Sequence, residues 1–343
     1  MIPVSSHVGS AVRRRAVRCT GRPRAVRRRV VLAVLAPAVA LVAAACGGAS
    51  ATGPSGPSST NPTAATASVA SYPVTVTAAN GQVTVKSRPK RIVSLSPTAT
   101  EMLYAIGAGS QVVAVDSLSS YPTQAPRTKL SAFHPNAEAV VGYTPDLVVF
   151  SHDSNGLLKA LEKLGVTALL LPAAKDLPDS YTQQVALGQV TGHPDQAAQV
   201  VERTQARVAA AVASVPRSTG AQKVYHEIDQ TYYSATGSTF LGSIYTLFGL
   251  QNIADGAKNA ASSGGYLRLS AEYVVSSAPD LIVLADGKCC GQSPATVARR
   301  PAFGTVPAVV HGKVIAIDDS LASRWGPRTA DFAEAIAKAL GSS

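Results

Sequence analysis

The chain has 343 residues, of which 46% are hydrophobic, enough to bury a core in each of two domains. Its net charge of +11 does not imply nucleic-acid binding, because residues 1–45 hold nine Arg and no acid, whereas the remainder carries 22 basic against 20 acidic side chains. A protein close to neutral outside its first 45 residues has no electrostatic footprint for a polyanion.

Those first residues are a processing segment. A basic region ending at Arg27-Arg28-Arg29 precedes an apolar run from Val30 to Ala45, interrupted by Pro37 and too short for a membrane span. The run ends Leu41-Val-Ala-Ala-Ala-Cys46, which resembles the lipobox of bacterial lipoproteins and implies lipid on Cys46; Ala43-Ala44-Ala45 would equally suit an ordinary secretory peptidase. Residues 1–45 are therefore expected to be a signal peptide. Residues 46–71, rich in Gly, Ser, Thr, Pro and Ala and free of charge, are expected to be a flexible tether to the membrane.

From residue 72 the elements follow in order. Alternating residues around Asn80-Gly81 predict a hairpin from Val74 to Val85 with a type I′ turn. A strand at Ile92 to Leu95 meets Pro97, and Thr98 with Glu101 reads as a capping box for a helix that Gly107 ends. Gly107-Ala-Gly109 follows a helix and precedes a strand, the reverse of a dinucleotide fingerprint. Strands at Val112 to Val115, Leu147 to Phe150 and Thr167 to Leu171 then alternate with helices, as in a parallel α/β lobe.

A long helix follows, from Pro194 to Val215, with Ala197, Val201, Thr204, Val208, Val212 and Val215 as its apolar stripe and Pro216 as its stop. At 1.5 Å per residue it spans roughly 33 Å, the width of a small domain. The α/β pattern resumes with strands at Lys223 to Glu227 and Lys313 to Ile317, a helix from Phe240, and a closing helix from Ala330 to Leu340 capped by Gly341. Cys289-Cys290 are adjacent, and two readings stand: a pair shaping a tight loop before Gly291, or a cleft-lining, redox-sensitive pair.

The two halves share an ungapped echo. Glu138-Ala-Val-Val-Gly-Tyr-Thr-Pro-Asp-Leu-Val-Val-Phe150 matches Glu272-Tyr-Val-Val-Ser-Ser-Ala-Pro-Asp-Leu-Ile-Val-Leu284. In each, a short helix opening on Glu stops before Pro-Asp and a buried strand follows. The midpoint of the pair falls inside the long helix. The fold class is therefore α/β, with a first lobe at 72–190, a linking helix at 191–216, a second lobe at 217–343 and a ligand cleft between the lobes.

With Arg91-Ile-Val-Ser-Leu-Ser-Pro-Thr-Ala-Thr-Glu101, the long helix and Phe240-Leu-Gly-Ser-Ile-Tyr-Thr-Leu-Phe-Gly-Leu-Gln-Asn-Ile253, the echo resembles the substrate-binding proteins of ABC importers for cobalamin, ferric siderophores and haem. The resemblance implies two Rossmann-like lobes joined by one long helix, a metal-bearing chelate as ligand, no enzymatic activity and no cofactor. It also implies a monomer that delivers its ligand to an ABC permease dimer, whose arginines would meet Glu138 and Glu272. One continuous helix between the lobes predicts a change of only a few degrees on binding.

Ligands of α/β lobes bind beyond the carboxyl ends of strands. The loops there offer Tyr121, Phe133, His134 and His152 in the first lobe, and His226, Asp229, Tyr232, Tyr233, Tyr266, Arg324, Trp325 and Arg328 in the second, as aromatic walls and orienting polar groups. Two rivals belong to other classes. A receptor for a bare metal ion would use His134, His152, His226 and Asp229. A secreted α/β hydrolase would need a nucleophile elbow, and no Gly-x-Ser-x-Gly occurs.

Overall fold

The computed structural model describes residues 71–216 and 220–341; the signal segment, Cys46 and the tether up to residue 70 lie outside them. The strands are β1 (Val74–Ala78), β2 (Gly81–Val85), β3 (Ile92–Leu95), β4 (Val112–Val115), β5 (Leu147–Phe150), β6 (Thr167–Leu170), β7 (Lys223–Glu227), β8 (Tyr233–Ala235), β9 (Gln251–Asn252), β10 (Tyr266–Arg268), β11 (Leu281–Leu284) and β12 (Val314–Ala316).

Two four-stranded parallel sheets carry the fold, in the orders β4-β3-β5-β6 and β9-β7-β11-β12. Numbered within each lobe, both read 2-1-3-4, a doubly wound order whose switch point lies between its two central strands. The echoed segments explain the match. Thr144 (φ +47°), just beyond the helix Ala137–Val141, and Ala278 (φ +50°), which caps the helix Ala271–Ser277, both take the left-handed region, and proline follows each. Asp146 accepts the backbone N–H groups of Lys90 (2.8 Å) and Arg91 (3.0 Å) just before β3, while Asp280 accepts that of Lys223 (2.8 Å) at the start of β7. Each Asp thus pins the start of one central strand to the next, so that Leu147 pairs with Ile92 and Leu281 with Val224.

The linking helix runs over Pro194–Ala213 and buries Ala197, Val200, Thr204, Val208 and Ala211. The buried stripe thus uses Val200 and Ala211 rather than Val201 and Val212, because two helices pack on it. These are Leu177–Thr191, which precedes it, and the C-terminal helix Thr329–Gly341. Ala197 and Val200 belong to the first lobe's core, Val208 and Ala211 to the second's. A Cβ on Gly188 would sit 2.3 Å from that of Ala197, so only glycine lets the first pair of helices approach this closely.

Three local expectations are corrected. The hairpin turns over Ala79 and Asn80, with only Gly81 at positive φ (+96°), so the turn is not type I′. The Asn80 side chain is instead used on β6, donating to the Ala168 carbonyl and accepting from the Leu170 N–H at 3.0 Å each. Ser96, not Thr98, caps the helix Pro97–Ala105, accepting the Ala99 N–H, and Glu101 is buried rather than folded back on the cap. Gly341 is the last residue of the closing helix, not a cap beyond it.

Candidate interlobe ligand site

A cavity of about 570 Å³ opens between the lobes. From the first lobe it is lined by Ser96 after β3, by Ser151 and His152 after β5, and by Arg127 and Phe133. From the second it is lined by Lys288 and by the segment 318–325 after β12, which contributes Asp318, Arg324 and Trp325. Another hollow, about 880 Å³, lies beside the linking helix near Gln222 and Gly249. Those residues precede β7 and β9, at the amino ends of the strands, where this fold does not place its ligands.

Four of the expected residues line the interlobe cavity. Phe133, 56% exposed, is tilted against His152 at 5.8 Å between ring centroids. The Nδ1 of His152 lies 3.0 Å from the Ser151 hydroxyl, which leaves Nε2 for the cavity. Trp325 packs against the cores of both lobes, and its indole N–H donates to Gln183 Oε1 at 2.9 Å. It is therefore a cavity wall and a packing anchor at once. Arg324 lines the cavity too, donating to the Leu118 carbonyl at 3.2 Å and lying 3.5 Å from the Glu101 carboxylate.

The other eight are placed elsewhere. His226 is a core residue: it is fully buried in β7, with Nδ1 2.7 Å from the Tyr245 hydroxyl and the ring edge-on to Phe332. Burial pushes its imidazole down to about 4, so it stays neutral. Tyr232 (φ +64°) stacks on Phe303 at 6.1 Å beneath Arg300. Tyr233 and Tyr266 stack on each other across the β8–β10 pair at 6.5 Å. Asp229 closes its own turn by accepting the Thr231 N–H at 2.7 Å, and the backbone of His134 bonds to Ser131. Arg328 forks onto both oxygens of Glu101, reaches Ser320 at 3.0 Å and covers the ring of Tyr121 at 4.2 Å, which occupies both of those predicted ligand residues with each other.

The four residues of the bare-ion reading are not brought together. His226 cannot join His134, His152 and Asp229 from the core, and among the described residues no group of three or more His, Cys, Asp or Glu is arranged to hold a metal. Cys289 and Cys290 are joined as a disulfide in the short helix Gly287–Cys290, before Gly291 (φ +67°). They shape that loop rather than line the cavity.

Sequence reasoning missed three residues. Lys288 pairs with Asp318 at the rim, and Arg127 adds a second cation. Glu101 is 4% exposed and carries the Arg324 and Arg328 contacts; the available signal was a carboxylate set among Ala99, Met102 and Leu103 on an otherwise apolar helix. Glu138 and Glu272 are exposed at matching second positions of the helices Ala137–Val141 and Ala271–Ser277, capped by Asn136 and Ser270.

The periplasmic binding protein family matches residues 92–321. An uncharacterized ABC transporter substrate-binding lipoprotein of Bacillus subtilis is 29% identical over 280 residues, 78% of this chain and 86% of that one. A cobalamin-binding protein of Halobacterium salinarum is 30% identical over 279 residues, 79% of this chain and 74% of that one. In fold, the chain is similar to a periplasmic haem-binding protein of Vibrio cholerae, with a TM-score of 0.63, 23% identity, and 73% of this chain and 98% of that one covered. With two matching parallel lobes, a linking helix and an interlobe cavity, the chain belongs to the periplasmic binding protein family, whose members bind solutes rather than transform them.

Proposed function

We propose that this chain is an extracytoplasmic lipoprotein, anchored through Cys46, that captures a metal-bearing chelate between lobes 72–190 and 217–343 and delivers it to an ABC permease dimer. A cobalamin-like corrinoid is the leading ligand. The observation that carries this reading is the cavity of about 570 Å³, walled by Phe133 and Trp325 and edged by cations and hydroxyls. The cobalamin-binding relative at 30% identity supports the corrinoid over other chelates. A second reading, haem or a ferric siderophore, rests on His152, whose free Nε2 is an axial ligand in waiting. Among the described residues no helix is long and apolar enough to cross a membrane.

Glu138 and Glu272 are the docking acids of this proposal, one on each lobe and both exposed. Because Trp325 is the chain's only tryptophan and lines the cavity, its emission reports binding there. Titration with cyanocobalamin, haemin and ferrichrome should give saturable one-to-one quenching with one of them. The double variant Glu138→Arg, Glu272→Arg should leave that titration unchanged and abolish uptake by cells. Absence of quenching by all three would overturn the ligand class, and normal uptake by the double variant would overturn the docking role.

A further inference from the structure

The chain crosses between its two sheets once, through the linking helix, and the lobes also meet directly, through Ala174 and Leu177 on the second lobe's core and through a second, charged contact beside the cavity. Residues 318–328 leave β12 of the second lobe and reach the first before returning to the C-terminal helix. Arg328 binds Glu101 with two nitrogens, Arg324 donates to Leu118, and Trp325 bonds through its indole to Gln183 and through its carbonyl to the Ser180 hydroxyl. Gly326 packs at ordinary contact distance on the helix Pro97–Ala105, where a Cβ would meet Thr98 at 3.6 Å and Glu101 at 3.7 Å. The acid at the centre is 2% exposed in its side chain and the two arginines 15% and 14%. Buried charges of this kind contribute little net stability but hold a single geometry, since parting them strands each one in a poorly solvating interior.

We propose that Glu101 is a positioning residue for ligand capture: it clasps the 318–328 segment to the first lobe and so fixes the width of the cleft in the free protein. A helix alone leaves the lobes able to bend about its ends, and the clasp removes that freedom before ligand arrives, so less ordering has to be done on binding. The same segment supplies Arg324 and Trp325 to the cavity, so clasp and ligand wall are one piece of chain. The clasp does not depend on which chelate is bound, although its consequence for affinity rests on the cavity being the ligand site.

The test uses the full chain carrying Glu101→Gln, with Arg328→Lys as the milder variant that keeps the charge and loses the fork. Spin labels on cysteines introduced at the exposed positions Lys163 and Ser262, one on each lobe, report the interlobe distance without ligand. The wild type should give one narrow distribution, and both variants a broader one extending to longer distances, with a larger radius of gyration by scattering. Cyanocobalamin, or whichever chelate binds the wild type, should leave the variants at least about tenfold faster, as expected for loss of one partner of a buried pair. If Glu101→Gln does not fold, Arg328→Lys carries the test. Folded variants with unchanged distance distributions would overturn the clasp even if their melting temperatures fall; broadened distributions with unchanged dissociation would overturn its role in capture. Failure of the wild type to bind any chelate would count against the ligand reading alone, because the distance measurement needs no ligand.

Discussion

The two lobes are built to one plan and use its central crevice differently. In the first lobe the ends of β3 and β5 open into the cavity through Ser96, Ser151 and His152. In the second lobe the equivalent ends of β7 and β11 are closed by a buried charge cluster. Glu227 and Asp286 are both fully buried, and Arg300, 12% exposed in its side chain, binds both oxygens of Glu227. The second lobe therefore reaches the ligand by another route, the 318–328 segment and Lys288. Repetition of a topology supplies two candidate crevices; what fills each one decides whether a ligand can.

The largest expected effect comes from breaking the closed crevice. Arg300→Met leaves Glu227 and Asp286 buried together without a cation and should destabilise the protein by about 3–5 kcal/mol in denaturant unfolding. At the open crevice, Ser151→Ala removes one hydroxyl beside His152 and should cost under about 1 kcal/mol. Equal losses at the two positions would mean that the crevices are not used differently.

The next effect is a dependence on pH with two opposed slopes. Burial, and then the Glu227 charge, push the Asp286 carboxyl from 3.8 up to about 7, so between those values the folded state holds a proton that the unfolded chain has released, and stability falls as pH rises. Burial pushes His226 from 6.5 down to about 4, so the unfolded chain holds the extra proton there, and stability falls as pH falls. Over pH 4–6.5 these two slopes oppose each other, with the raised carboxyls of Glu101 and Asp116 adding to the Asp286 side. Relative to the wild type, Asp286→Asn should turn the slope across that window toward rising with pH, and His226→Gln should turn it toward falling. Denaturant midpoints measured at intervals of pH read both slopes, and parallel curves for the two variants would contradict the assignment.

The smallest effect sharpens the comparison at the Pro-Asp turns. Asp146 accepts two backbone N–H groups and Asp280 one, all beside solvent. Asp146→Ala should therefore cost more than Asp280→Ala, with each bond contributing roughly 1 kcal/mol. A larger loss at Asp280 would show that its turn holds the sheet by other means.

Much of the architecture was legible in the sequence because it is carried by local signals. Apolar runs gave seven of the eight parallel strands found among the described residues, and the echoed Glu-to-Pro-Asp segments gave the duplication. The site was legible only in part. Phe133, His152, Arg324 and Trp325 follow strand ends and do line the cavity. His226 also stands near a strand end, but alternation along β7 directs it to the core, where Tyr245 receives it. Tyr232 and Arg328 look like ligand groups in the sequence because their partners, Phe303 and Glu101, lie 71 and 227 positions away. No local pattern encodes contacts of that range, and a lone carboxylate such as Glu101 looks the same in a helix cap as in a buried clasp.

The most direct test of the central claim, that the ligand sits at the open crevice of the first lobe and is covered by the second lobe's returning segment, is the anomalous signal of cobalt in crystals grown with cyanocobalamin. One cobalt peak is expected in the interlobe cavity, between His152 with Phe133 and Trp325 with Arg324. A peak in the hollow beside the linking helix, near Gln222 and Gly249, would contradict it.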